Sequence, residues 1–500
     1  MNAKKTWALA ACLMLGTASM LFAQTNRKAL DENQQPSLTH LMNVVHDLSS
    51  STYSGRLAGT EGFNDAAVYV IEELEKYGVQ PYHGDWYQLF ELECNQIETA
   101  TLRTYVNAND TRVPYILGRD FVCAGMTGRG YSDAPVVFCG YGIDDASYNE
   151  YAHVDAQGKI AIILSGVPNF LPSNVTQHYR TMRQKARAAQ RHGCCAMVVV
   201  NMANSCSATE VQGNVWSGDL PHMASFPMLQ TTRACGEQLF GGERMSLQEA
   251  IDSIGNSHKP QSFHFRKHFE LEVNTTYHPS ELTGNVVGIY PGTDLRNEYI
   301  VVGAKLDHVG MQGKTCLFPG ADDNASGVAV LMETARMLQN ADVQPRRSVV
   351  FVLFSGGEQQ RLGSQIFVSG FRPLKRVEAF VNAECLGTGD SVAVLGNTYF
   401  PSLWEVARNM DSAFCAGTMA VGTKTQAAGD AAAFSMVGIP SLVFTNYNGN
   451  RRAHVPSDIA ENIDRQYLLK ATKLFYETVY ELTFGDYQGR SSRSKNVRFE

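Results

Sequence analysis

The chain lacks several features that would assign it quickly. None of its 11 cysteines stands in a CxxC pair, which removes the ligand spacing of a zinc ribbon. No basic stripe is present and the formal net charge is −7, which argues against a DNA or RNA partner. Only one long apolar run occurs, Trp7 to Phe22, and it is shorter than the roughly 20 residues that a bilayer-spanning helix needs. Lys4 and Lys5 precede it and the small Ala23 ends it, which is the form of an export signal over residues 1–23. The expectation is an exported chain, periplasmic or extracellular, with no membrane span once the leader is removed. Leu9-Ala10-Ala11-Cys12 has the outline of a lipidation box, but apolar residues continue straight past Cys12. Export permits disulfides, although the spacings assign no pairing.

What is there is an ordinary globular composition, 44% apolar and 18% charged. A length of 500 residues exceeds one compact core and implies two or three domains. Leu38, Leu41, Val45 and Leu48 recur at helical spacing. Ala66, Ala67, Val70, Ile71 and Leu74 mark a second helix, stopped by Gly78 with Pro81 beyond it. From about Asn95 to Tyr277 short β runs alternate with glycine. Val136 to Cys139, Lys159 to Leu164 and Ala196 to Val200 read as strands, with a helix over Met182 to Arg191. From Thr283 onward buried-strand runs (Tyr299 to Ala304, Ser348 to Phe354, Ala379 to Asn382, Ser441 to Phe444) alternate with helical patterns. That alternation predicts an α/β fold, a mostly parallel sheet covered by helices on both faces. The expected division is a leader at 1–23, an N-terminal helical part at 24–94, a β-rich insert at 95–277, a core at 278–486 and a disordered tail at 487–500.

Function in such sheets gathers beyond the carboxyl ends of the strands. "GAKLDHVG", "PGADDNASG", "FSGGEQQRLGS", "VNAECLG" and "RRAHVPSD" all follow strand-like runs there. Each alone has a plain explanation: Asp322, Asp323 and Asn324 could cap the helix that starts near Ser326, and His454 could be a loop histidine. Several carboxylates and a histidine at successive strand ends instead suggest a hydrolytic metal site, because that donor set suits zinc.

These segments resemble the co-catalytic zinc aminopeptidase family, which also includes glutamate carboxypeptidase, glutaminyl cyclase and the transferrin receptor. The likeness runs from about Thr283 to Phe484, with "PGADDNASGVA" its most specific part, and "YSGRLAGTEGFNDAAVYVIEELEKYGV" resembles the family's N-terminal helices. "APVVFCGYGI", "DAQGKIAIILSG" and "FPMLQTTRACGEQL" resemble a protease-associated domain, so the fold implied is a zinc exopeptidase carrying that insert. The resemblance implies Asp322 as the carboxylate bridging two metals, Glu358 and His454 as ligands to one, and Glu384 as ligand to the other. It places Asp307, Asp323 and Asp458 behind the ligands, Asp430 near the substrate, and a cis peptide between Asp322 and Asp323.

Two departures from the pattern change the reading. Lys305 stands where the family has its first histidine ligand, and Gly357 stands where it has the glutamate that deprotonates the attacking water. His308 does not replace the lost ligand, since the family carries a histidine there as well. An extended lysine reaches about as far as a histidine plus its metal. Its ammonium is therefore expected in the missing ion's place, paired with Asp322 and Glu384, the alternative being a lysine swung out to solvent. Asp322, Glu358 and His454 would still make a one-zinc site, so the cofactor expected is one zinc ion or none. Glu384 is the only nearby carboxylate to stand in as base. Three readings follow: an impaired family member that binds a peptide, a metal or a protein partner, an active single-zinc aminopeptidase or related amide hydrolase, and a structural surface protein that binds through its insert.

Overall fold

The computed structural model describes residues 34–202, 221–420, 425–426, 428–449 and 453–489. The expected leader lies outside the described residues, as does most of the expected tail. Helix α1 (Leu38–Leu48) buries Leu41, Val44, Val45 and Leu48 on one face, and the Ser37 side chain caps it by accepting from His40 N. Helix α2 (Glu61–Lys76) buries Phe63, Ala66, Ala67, Val70 and Leu74. Gly78 follows at φ +76°, the left-handed conformation that ends helices.

Strand β1 (Tyr87–Tyr105) carries the chain into the insert. There β2 (Phe121–Cys123), β3 (Gly130–Phe138), β4 (Ile160–Leu164), β5 (Ala196–Val200) and β6 (Met228–Thr231) form one stretch of sheet, with α3 (Met182–Arg191) between β4 and β5. β7 (Phe263–Tyr290) returns to the core. The core then runs β8 (Leu295–Lys305), α4 (Ser326–Gln339), β9 (Arg347–Phe354), α5 (Leu362–Gly370), β10 (Val377–Ala383), β11 (Ser391–Leu395), β12 (Ser441–Tyr447) and α6 (Arg465–Phe484).

The strands lie in the order β11-β12-β10-β8-β9-β7-β3-β4-β5-β6-β2. β12, β10, β8 and β9 are mutually parallel, with antiparallel β11 and β7 on their flanks. The parallel strands are buried on both faces, which is why β9 reads as an unbroken apolar run from Val349 to Phe354. One face packs on α1, α4 and α6 through residues such as Leu41, Leu331 and Leu474. The other packs Phe354 and Phe380 on Phe367 of α5 and on Phe434. Each such side chain contributes about 1.5–3 kcal/mol by leaving water. The expected α/β fold with an inserted β-rich domain is the fold observed.

The 28 residues of β7 join the two lobes. Phe263 to Val273 pair with β3 of the insert, and Val286 to Tyr290 pair with β9 of the core. The expected boundaries at 94/95 and 277/278 both fall within this β1–β7 ribbon, so backbone pairing crosses each of them. Among the described residues no helix is long and apolar enough to cross a membrane.

Candidate metal centre

Lys305 is the last residue of β8, Glu358 lies just past β9, Glu384 directly follows β10, and His454 sits in the connection beyond β12. The Lys305 ammonium lies 2.7 Å from Asp323 Oδ1 and also contacts Glu358 Oε1. Burial disfavours its charge, but Asp323 and Glu358 outweigh that and hold the ammonium well above its ordinary value. His454 Nε2 is 2.9 Å from Glu358 Oε2 and 3.6 Å from Asp323 Oδ2. Burial opposes the imidazolium, and Glu358 more than compensates, so His454 is raised. Burial likewise works against the Glu358 charge, yet His454 and Lys305 hold that carboxyl well below its usual range. Two bases thus face two carboxylates in a self-neutralising network.

A second imidazole stands behind it. His308 is 0% exposed, its Nδ1 is 3.5 Å from Glu358 Oε1, and neither ring nitrogen completes a hydrogen bond. Its ring meets that of His454 edge-on at 5.4 Å between centroids. Burial pushes His308 down to about 4, which keeps the ring neutral.

The lysine swings inward as expected, but its partners differ. Asp322 does not face it. The Asp322 carboxylate is held by Gly387 N at 2.7 Å and Thr388 Oγ1 at 2.7 Å, donors that turn it toward the turn after β10. Asp323 takes the central position, and the cis peptide is Asp323–Asn324, one residue beyond the expected place. Glu384 makes no ion pair with Lys305; its Oε2 accepts from Asn382 Nδ2 at 3.3 Å. Burial, with Asp430 beside it, pushes Glu384 up to about 7. Asp430 is also buried and raised by burial, and its Oδ1 has no hydrogen-bond partner.

The remaining carboxylates hold backbone. Asp458 accepts from Asp322 N at 2.9 Å and Asp323 N at 3.0 Å. Asp307 accepts from Gly357 N at 2.9 Å and Glu358 N at 3.2 Å, so it fixes the loop that carries Glu358. Burial pushes both of these carboxyls up to about 7. Below them Arg56, fully buried, donates to Leu306 O, Pro319 O and Gly320 O at 2.8–3.0 Å. It ties the strand leaving β8 to the loop that presents Asp323.

Ligand atoms of His308, Asp323, Glu358 and His454 all lie within 4.8 Å of one another. Two imidazoles and two carboxylates suit zinc, and the unpartnered His308 nitrogens give such an ion something to bond, so these residues fit one ion. The far side fits a second ion poorly, because a protonated lysine offers no lone pair and Glu384 is engaged elsewhere. Gly357 presents no side chain toward the centre. A Cβ placed on it would stand 3.0 Å from Asp307 Oδ1 and 3.1 Å from Lys305 Cβ. The lysine stem therefore covers the point from which a base at 357 would grow.

A parallel sheet with these groups at its carboxyl ends and a β-rich insert ahead of it defines an α/β exopeptidase-type chain. Residues 285–479 match the model of Peptidase family M28, and residues 132–239 match the PA domain. The core belongs to peptidase family M28, and the insert is a PA domain. Over 228 residues the chain is 25% identical to leucine aminopeptidase 1 of Paracoccidioides brasiliensis, and over 258 residues 27% identical to leucine aminopeptidase 1 of Uncinocarpus reesii. Those matches cover 42% and 48% of this chain and 58% and 62% of the relatives, so the chain spans about three fifths of their length. Among solved structures, BSAP, a zinc aminopeptidase from Bacillus subtilis, superposes at a TM-score of 0.64 with 21% identity, covering 90% of this chain and 95% of that one. An aminopeptidase from Aneurinibacillus sp. gives a TM-score of 0.63 with 18% identity, over 91% of this chain and 96% of that one. These similarities establish the shared fold.

The sequence pattern puts Asp323 behind the ligands and leaves His308 out of the ligand set, yet the structure brings both to the centre. Adjacent aspartates leave the direction of each open by one residue. No pattern in "KLDHVG" reports which way the His308 ring turns.

Proposed function

We propose that this exported M28-family protein is catalytically impaired as a peptidase and uses its site to bind a peptide or protein ligand. The observation that carries this is the Lys305 ammonium, 2.7 Å from Asp323 Oδ1 and touching Glu358, with a glycine at 357. Peptide hydrolysis needs a group that takes a proton from water and returns it to the leaving amine. Gly357 supplies none, and loss of a general base costs about 10²–10⁴-fold in rate. Glu384 could accept a proton, but it forms no ion pair with Lys305 and its carboxyl interacts electrostatically with Asp430 beside it. Export is supported by the pattern of residues 1–23, and the net charge of −7 speaks against nucleic acid as the ligand.

A second reading is an active single-zinc aminopeptidase or related amide hydrolase, favoured by the convergence of His308, Asp323, Glu358 and His454. A zinc ion bound there would supply Lewis acidity toward water. Assay of the zinc-supplemented chain on aminoacyl chromogenic substrates separates the two. Turnover at least about 100-fold below the median enzyme rate of about 10 s⁻¹ is expected. A rate within the ordinary range would sink the proposal.

A further inference from the structure

We infer that His308 is a metal ligand, and that the chain binds a single zinc ion through His308, Asp323, Glu358 and His454, with Lys305 as the competing internal cation. The first support is the state of His308. It is completely buried, and both ring nitrogens lack hydrogen-bond partners. A buried polar group left so carries an uncompensated desolvation cost, whereas a metal ion bonded to one nitrogen removes part of it. The second support is convergence. Tetrahedral donors about 2.0 Å from zinc stand roughly 3.3 Å apart, so donors already within 4.8 Å of one another need only a modest contraction. Charge is the third: two neutral imidazoles and two carboxylates neutralise a divalent ion.

This set differs from the one expected from the sequence, in which His308 took no part. It also has a chemical consequence. Three protein ligands leave a position for water, whereas four close the tetrahedron, as in structural zinc sites. A zinc ion held by all four residues would act as a fastener between the loop after β8, the loop before α4, the loop after β9 and the connection after β12. Lys305 opposes this, because its ammonium already holds Asp323 Oδ1 and Glu358 Oε1 and would repel the incoming ion. Metal occupancy and the Lys305 ion pairs are thus alternatives on the same two carboxylates.

The inference goes beyond the loss of turnover and does not require it. The test is titration of the chelator-stripped full chain with zinc chloride, followed by calorimetry. Lys305→Met is expected to bind one equivalent at least about tenfold more tightly than the unaltered chain, through loss of the like charge. Adding His308→Phe, which keeps a planar ring without a lone pair, should weaken zinc by more than the roughly 10–100-fold lost with an outer partner of a metal site. Unchanged affinity on His308→Phe, or no zinc bound by Lys305→Met, overturns the inference. Should His308→Phe fail to fold, zinc X-ray absorption on loaded Lys305→Met decides: two imidazole ligands support the site and one overturns it. None of these readouts measures hydrolysis. A chain that binds zinc through His308 yet cleaves peptides would defeat only the proposed function.

Discussion

At the scale of single residues, the two departures from the family pattern are one structural event. Gly357 has no side chain, and a Cβ there would lie 3.1 Å from Lys305 Cβ and 3.3 Å from Lys305 Cδ. The stem of Lys305 packs where that side chain would begin. Gly357→Ala should therefore cost about 1–3 kcal/mol through overpacking, and less in a Lys305→Gly background, where Cβ and Cδ of residue 305 are both gone. The entropic gain from replacing glycine acts on the unfolded chain and cancels in the cycle. Denaturant unfolding of the four variants should give a coupling above about 0.5 kcal/mol. Additive effects would mean that the contact carries no energy. The same packing implies that a carboxylate at 357 requires the lysine to be shortened as well.

At the scale of elements, α4 links the site to the N-terminal helices. It begins directly after the Asp323–Asn324 loop, and its Glu333, fully buried, receives Ser37 N at 2.5 Å, His40 Nδ1 at 2.5 Å and Arg336 Nη2 at 2.6 Å. Burial raises the Glu333 carboxyl, but the His40 and Arg336 hydrogen bonds outweigh it and hold it below its ordinary value of 4.5. With the folded value depressed, the unfolded chain binds the proton more readily. The stabilisation is therefore complete above pH 4.5 and is lost as pH falls through the folded value. Acid unfolding followed by circular dichroism should show this loss in the unaltered chain and a shallower dependence below pH 4.5 in Glu333→Gln. Removing the partner outright, Glu333→Ala, should cost about 3–5 kcal/mol. Parallel acid curves would assign the acid sensitivity elsewhere.

Elements of this kind were readable from the chain to differing degrees. Ala196 to Val200 is an unbroken apolar run between turn residues, and β5 spans the same residues. β7 could not be read in full, because its pairing shifts register between Asn274 and Thr275 and again between His278 and Glu281. Each shift moves the buried face, which breaks the two-residue period that marks a strand. In the site, residue types and strand-end positions were legible for Lys305, Glu358 and His454. The rotation that puts Asp323 inward and Asp322 toward Gly387 depends on backbone donors from a distant loop, and no local pattern encodes it.

At the scale of the whole molecule, the loop between Lys305 and Asp323 also holds the PA domain. Gln312 lies on that loop, fully buried. Its Oε1 accepts from Cys123 N at 2.7 Å and its Nε2 donates to Cys123 O at 2.9 Å. Cys123 belongs to β2, the last strand of the sheet order, so one core side chain closes an edge of the insert's sheet. Gly313 N adds a bond to Ile97 O of β1 at 2.9 Å, and Val122 of β2 packs with Val309, Cys316 and Phe318 of the loop. The insert therefore rests on the same segment that presents His308. Gln312→Ala leaves a buried N–H and C=O without partners, at about 1–3 kcal/mol each. Hydrogen exchange should quicken in β2 and over residues 309–318, because local opening there becomes easier. β8, β9 and β10, which are hydrogen-bonded within the core, should exchange as before. If exchange in β2 were unaltered, this edge would be held by the β6 pairing and the apolar cluster alone.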